Sequence, residues 1–315
     1  MTAGGAPDVL VLRALGLGDL LTAVPALRGL LDAFTGARIA LAAPRTLAPL
    51  VERIGPLELV DVHELDAALP AAVAGAGVAV NLHGRGPRSH RLLLEARPGE
   101  LVAFAHPAVP TSAGGPPWRS DEHEVVRWCR MLAAHGIPTD PTRLDLEAPD
   151  RPLPPGAHGA TLVHPGAKDA ARRWPVERWA AVAAAQRRGG HTVLVTGGPG
   201  EVELARALAD AAGLPPGAVL AGRTDLAELA ALVAAAGHVA CGDTGMAHLA
   251  TALGTPSTVL FGPVPPAEWG PPADRPRHRA LWAGRRGDPH ATRADAGLLA
   301  IGADDVVRAL ETARA

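Results

Sequence analysis

The chain repeats one pattern nearly from end to end: a short apolar run, a glycine-bearing turn, then a longer amphipathic stretch. Short apolar runs bounded by turn residues fit buried strands, and longer runs with apolar residues three or four apart fit helices. Residues 9–13, 38–42, 57–62, 78–82 and 100–104 read as strands, with helices at 20–34, 45–54, 66–74 and 88–96 between them. A further helix covers 122–135 behind a Ser120-Asp121 cap. Parallel neighbours need a crossover connection and a helix supplies it, so this alternation predicts an α/β fold built on doubly wound parallel sheets.

The alternation lapses once. Residues 138–158 hold the densest proline cluster, show no sustained periodicity and read as a linker. Beyond them strands are expected at 161–164, 192–196, 218–221, 238–241 and 257–261, with helices at 176–188, 201–212, 226–236 and 246–253. The stretch 262–300 is rich in Pro, Arg and Gly and reads as loop, and a last helix covers 304–313. A chain of 315 residues is too long for one ordinary core. Two Rossmann-like domains, 1–150 and 151–315, are therefore expected to face a cleft, with the last helix placed to pack back on the first domain. Sheets of this kind bind ligands at the carboxyl ends of their strands.

Composition removes several function classes. A formal net charge of −2 argues against nucleic acid or an anionic membrane held by bulk charge. No apolar run approaches the ~20 residues of a membrane span, and the first residues lack the basic region of a signal peptide. Cys129 and Cys241 are solitary, which fits a reducing cytoplasm and no structural zinc, and no His/Cys/Asp spacing reads as a metal site. Lysine occurs once, at Lys168, while arginine is abundant and tyrosine absent. That pattern reads as the codon bias of a GC-rich genome and lowers the weight of any single arginine.

The most informative turn is Gly242-Asp243-Thr244-Gly245, between a strand and a helix within CGDTGMAHLATALGTPSTVLFGP at 241–263. A helix opening this way offers backbone N–H groups and the positive end of its dipole, a site suited to a diphosphate. Asp243 sits at the tip, and His248 lies one turn after Thr244 on the same face. Packing alone does not require both, and a nucleotide-sugar phosphate site is the reading. Three more turns belong to the same sheet. His164-Pro165-Gly166-Ala167-Lys168 precedes Arg172-Arg173-Trp174-Pro175, where Gly166 and Ala167 permit close approach and Lys168, Arg172 and Arg173 can neutralise phosphate; the alternative is a solvated basic loop with Trp174 in the core. Thr196-Gly197-Gly198-Pro199-Gly200-Glu201 lacks the GK[ST] of a Walker loop, and Glu201 either complements the helix start or accepts two sugar hydroxyls. Gly222-Arg223-Thr224-Asp225 opens a capped helix whose backbone can border a base.

In the first half, Gly16-Leu17-Gly18-Asp19 follows the first strand, with glycines that allow a tight turn and close backbone approach. The third glycine of a dinucleotide fingerprint is missing, Leu21 standing in its place, which disfavours a dehydrogenase. With Pro25 in the first turn of a helix starting near a Thr22 cap, Asp19 falls in the loop, either as a general base or as a helix cap. The isolated His63, His83, His106 and His135 read as surface or loop residues.

GLGDLLTAVPALRGL, HPGA…RRWPVERWA, TGGPGEVELA and GDTGMAHLATALGTPSTVLFGP, in that order over 9–270, resemble the ADP-heptose:lipopolysaccharide heptosyltransferases, glycosyltransferase family 9. The resemblance implies a GT-B fold, with an N-terminal acceptor domain, a C-terminal nucleotide-sugar domain, and inverting transfer without a metal or other cofactor. It implies that Asp19 is the catalytic base, that Asp243, Thr244, Gly245 and His248 hold the donor's diphosphate and sugar, and that Glu201 binds the ribose. Arg172 stands where many members carry a lysine on the phosphates, Thr224 borders the adenine, and Gly18, Gly166, Lys168 and Met246 complete the donor set. Asn81-Leu82-His83-Gly84 resembles the family's Asp-Leu-x-Gly, with Asn for Asp. The stretch 278–300 lacks the cysteines many members carry. The implied partners are an ADP-heptose donor and an acceptor among glycans, lipid-linked saccharides and secondary metabolites, a lipid-linked one bringing the protein to the inner face of the cell membrane. The rivals are another GT-B enzyme, such as a sugar-nucleotide epimerase, and a non-catalytic nucleotide-sugar-binding protein.

Overall fold

A computed structural model describes residues 5–65 and 67–312. The chain divides into two compact units, Met1–Leu146 and Glu147–Ala315.

The first unit runs β1 (Val9–Leu12), α1 (Leu17–Thr22), α2 (Val24–Ala33), β2 (Ile39–Ala43), α3 (Ala48–Ile54), β3 (Leu57–Asp61), β4 (Val78–Asn81), α4 (Arg88–Glu95), β5 (Glu100–Val102) and α5 (Glu124–Ala134). Its five described strands lie in the order β3-β2-β1-β4-β5, all parallel. Every residue of central β1 is buried, as its unbroken Val-Leu-Val-Leu run requires of a strand covered on both faces. The strand order reverses beside β1, so the turns after β1 and β4 border the point where doubly wound sheets leave a crevice.

Four local expectations change here. The helix expected over 20–34 is two helices, α1 and α2, meeting at Ala23. Pro25 has no N–H and its ring crowds the preceding turn, so it sits at the second position of α2. Asp19 is thus in the first turn of α1, not in a loop, and Thr22 is no cap: its hydroxyl donates to Asp19 O at 3.0 Å. The helix expected over 66–74 reduces to a 3-10 turn, Ala71–Val73, because Pro70 in its middle takes an extended ψ of 141°; Asp66 lies outside the described residues. The cap of α5 is His123, whose ring accepts from Val125 N at 3.2 Å, not Ser120-Asp121.

The second unit contains β6 (Thr161–His164), α6 (Val176–Arg188), β7 (Val193–Val195), α7 (Val202–Ala212), α8 (Leu226–Ala235), β8 (His238–Gly242), α9 (Gly245–Leu253), β9 (Ser257–Phe261), α10 (Pro266–Trp269), β10 (His278–Trp282), α11 (Ala296–Leu299) and α12 (Ala303–Thr312). The order is β10-β9-β8-β6-β7, again all parallel. The strand expected at 218–221 contracts to an isolated bridge between Val219 and Val195, since Pro215 and Pro216 lead into a 3-10 turn. The fifth strand is β10, from the stretch read as loop; His278-Arg279-Ala280-Leu281-Trp282 pairs with β9 along its whole length. Its arginine and flanking Pro-Arg-Gly run mask the apolar signal. The C-terminal α12 packs on α6 and β9 of its own unit. Cys129 and Cys241 are both buried and unpaired as thiols.

Candidate functional site

The second sheet reverses order between β6 and β8, and the turns leaving those two strands carry most of the predicted donor residues. β8 delivers Asp243, which is 7% exposed and whose N–H is fixed by Leu260 O at 3.0 Å. Thr244 then takes extended φ and ψ as the N-cap of α9, yet its side chain does not cap the helix, and its buried Oγ1 has no hydrogen-bond partner. The first-turn N–H groups therefore lack a side-chain cap, and the helix dipole is uncompensated by any acidic residue in that turn. Met246 is buried, so only its backbone is available to a ligand. His248 is half-buried, its ring edge-on to Trp269 of α10 at 6.0 Å.

Arg172 links the two turns. Its Nη1 donates to Asp243 O at 3.3 Å and lies 3.9 Å from Asp243 Oδ2, while Nη2 donates to Asp169 Oδ2 at 2.7 Å. Its Nε is buried without a partner. Asp169 in turn lies 3.6 Å from His290 Nδ1, so the segment after β10, unassigned in the sequence, reaches this cluster. Burial pushes the Asp243 carboxyl up to about 6, and Arg172 only partly offsets it. Because the folded value lies above the ordinary 3.8, the native state holds its proton more tightly than the unfolded chain. This stability is present at low pH and is lost as pH rises from about 4 to about 6. Asp243→Asn is accordingly expected to stabilise the protein at pH 8 by on the order of 2 kcal/mol and not at pH 4, as read by thermal melts at both pH values.

Glu201 organises the other side. Gly198 N–H donates to its Oε2 at 2.7 Å, and His164 Nε2 stands 3.9 Å away. Burial keeps His164 below its ordinary value, and its Nδ1 is held at 3.1 Å by Thr196 Oγ1. The carboxylate lies over Gly166, where an added Cβ would stand 1.9 Å from Oε1. Glu201 thus serves the start of α7, as the helix-start reading expects, and its carboxylate also faces the turn after β6. Gly166→Ala should leave the fold intact, because the end of a flexible side chain can move. It should still weaken nucleotide binding by about 5- to 30-fold as Glu201 is pushed off its Gly198 bond, measurable by titration calorimetry. Gly222 N–H binds Gly197 O at 2.9 Å and brings half-buried Thr224 to the same edge, where Asp225 caps α8 by accepting from Glu228 N at 2.8 Å. Lys168 is exposed beside this edge. Arg173 braces the turn instead, with Nε on Ala167 O at 2.8 Å, and Trp174 is core, stacked edge-on with Trp179 at 4.8 Å.

In the first unit, Asp19 lies in the first turn of α1 after Gly16 and Gly18, its carboxylate 29% exposed and 3.6 Å from Arg13 Nη2. Burial raises its pKa above the ordinary carboxylate value, while Arg13 and the Gly16 N–H oppose that rise. Arg13, the charged end of an otherwise apolar strand, carried this signal in the sequence unread. Asn81 holds the turn after β4: its Nδ2 donates to Gly84 O at 3.0 Å, Ser89 Oγ at 2.9 Å and His90 Nδ1 at 2.9 Å, and its Oδ1 accepts from His83 N at 2.9 Å. His90 Nε2 faces Phe104 O at 2.8 Å, so Nδ1 is left to accept, and an amide suits position 81 where an aspartate would not. Among the described residues no cluster of three His, Cys, Asp or Glu could hold a metal ion, and no helix is long and apolar enough to cross a membrane.

Two parallel α/β units, each with glycine turns at its strand-order reversal, define a protein of the GT-B fold class. The solved Escherichia coli ADP-heptose lps heptosyltransferase II shares this fold, with a TM-score of 0.75 at 20% identity over 98% of each chain. The chain belongs to glycosyltransferase family 9 (heptosyltransferase), whose sequence model matches residues 117–294, more than half its length. It is 32% identical over 112 residues to lipopolysaccharide heptosyltransferase 3 of Escherichia coli, covering 35% of this chain and 33% of that one. It is 39% identical over 113 residues to lipopolysaccharide heptosyltransferase 1 of Pseudomonas aeruginosa, covering 36% and 31%. The matched segment spans about a third of the length of these relatives.

Proposed function

We propose that the protein is an inverting glycosyltransferase that moves a heptose or related sugar from an ADP-sugar to an acceptor hydroxyl, with Asp19 as base. The observation that carries this reading is the Asp169–Arg172–Asp243 cluster beside the uncapped start of α9. A helix N-terminus and a half-buried guanidinium whose Nε is buried and unsatisfied form a cradle for a diphosphate. ADP-heptose, named for the solved relative, is the donor this cradle is assigned.

Asp19 accepts the acceptor's proton as its oxygen bonds to the anomeric carbon, and the bond from that carbon to the diphosphate oxygen breaks. The leaving ADP gains negative charge, which Arg172, Lys168 and the α9 dipole offset. Glu201 takes the ribose hydroxyls and the Thr224 turn borders the base. Since these groups supply the positive charge, transfer is expected to survive EDTA, and its loss with recovery on adding a divalent ion would assign that role to a metal. The acceptor is drawn from glycans, lipid-linked saccharides and secondary metabolites, and the setting is the cytoplasm or the inner face of its membrane.

A thermal-shift panel of ADP-, UDP-, GDP- and dTDP-sugars tests the donor. Ligands of the native state raise the melting temperature by mass action, by an amount that grows with concentration over Kd. ADP-sugars should give the largest rise; a preference for UDP-sugars would sink the adenine assignment.

A further inference from the structure

Arg13 is wholly buried, yet its guanidinium is fully engaged. Nε donates to Asp19 O at 2.9 Å, Nη1 to Leu82 O, and Nη2 to Thr22 Oγ1 at 3.2 Å and Glu124 Oε1 at 3.0 Å. The face of its guanidinium lies 4.9 Å from the Trp128 ring centroid. Glu124, 5% exposed, also accepts from Trp128 Nε1 at 2.8 Å and from Arg127, whose own guanidinium stacks on Trp118 at 4.5 Å. Two arginines and two carboxylates thus share one buried cluster, and it is electrically neutral when Asp19 is ionised. A lone buried pair rarely repays its desolvation, so a cluster closed on an exposed-edged carboxylate calls for a reason beyond stability.

We infer that the Arg13–Glu124 pair is a positioning device for Asp19, fixing the direction of its carboxylate and setting the pH at which it becomes a base. This deepens, and rests on, the reading of Asp19 as the base. Arg13 binds the Asp19 backbone, the Thr22 hydroxyl one turn later and the Glu124 carboxylate of α5 in a single planar fork. It therefore ties the first turn of α1 to β1 and α5, something a lysine's single point charge does not do. Arg13 favours the Asp19 anion and Glu124 opposes it. The other charged group in contact is Arg127, on Glu124, and His83, on the turn after β4, is held down to about 4 by burial and by Arg13, so it is neutral at working pH.

The test pairs two readouts. In Glu124→Gln the Asp19 midpoint, followed by 13C NMR of labelled aspartate and assigned with Asp19→Asn, should fall by about one pH unit; in Arg127→Gln it should rise. The acid limb of kcat/KM should move with it. Arg13→Lys should instead lower kcat at least tenfold with KM for the donor unchanged, since charge remains and orientation is lost. Should the variants not fold, wild-type protein still answers: the Arg13 guanidinium nitrogens should titrate with the Asp19 midpoint. Unmoved NMR midpoints, or a guanidinium blind to Asp19, overturn the inference. NMR midpoints that move while the kinetic limb stays fixed leave the positioning intact and reject Asp19 as the base.

Discussion

Asp19→Asn is expected to cut sugar transfer by about 10²–10⁴-fold while ADP affinity stays within about twofold of wild type. The amide keeps the shape of the carboxylate and can still accept from Gly16, but it cannot take a proton from an attacking hydroxyl. ADP affinity is spared because the groups assigned to the diphosphate, ribose and adenine (Arg172, Lys168, Asp243, Thr244, Glu201 and Thr224) lie in Glu147–Ala315, whereas Asp19 belongs to Met1–Leu146. Labelled sugar transferred into acceptor-bearing lipid and glycan extracts measures the first quantity, and calorimetric titration with ADP the second. Residual transfer above about a tenth of the normal rate would remove Asp19 from the reaction, since a general base contributes more than that.

Arg172→Ala should raise the Kd for ADP by roughly 30- to 1,000-fold, equivalent to about 2–4 kcal/mol. Two losses combine. The diphosphate loses one of its two assigned cations, and Asp169 and Asp243 are left facing the same space without the guanidinium between them. Like charges then repel an incoming anion where a counter-charge had attracted it. Arg172→Lys should fall between, because an ammonium can neutralise one carboxylate but cannot bridge from Asp243 O to Asp169 as the two-pronged guanidinium does. An alanine variant that binds ADP as wild type does would show that the diphosphate sits elsewhere.

Sequence reading placed the strands well where a strand is wholly buried. β1, β2, β8 and β9 are fully buried parallel strands, and in each nearly every residue is apolar or small, so the run itself announces the strand. It failed where one residue outweighed the pattern. β10 is partly exposed and carries an arginine amid prolines and glycines, so its five paired residues left no clean run. The apolar run ending at Ala221 misled in the opposite direction, because two prolines ahead of it deny the backbone a ladder. Pro25 is a first-turn proline, as its missing N–H requires, but the helix it begins is the second of two, and that puts Asp19 in a helix rather than a loop.

By itself the sequence determined the two parallel α/β units, the glycine turns at their strand ends and the chemical types brought there: one acid after β1, one acid and one imidazole after β8, a guanidinium after β6, and Glu201 at the start of α7. These are local matters, decided by periodicity, by glycine and proline, and by which side chains follow a strand. Tertiary structure decided what those groups are worth. Arg172 became a bridge between two carboxylates, the Asp243 carboxyl moved up to about 6 by burial, and Arg13 was joined to Glu124 across 111 positions of sequence. Desolvation and charge pairing depend on neighbours in space, and a linear pattern carries no record of which neighbours those are.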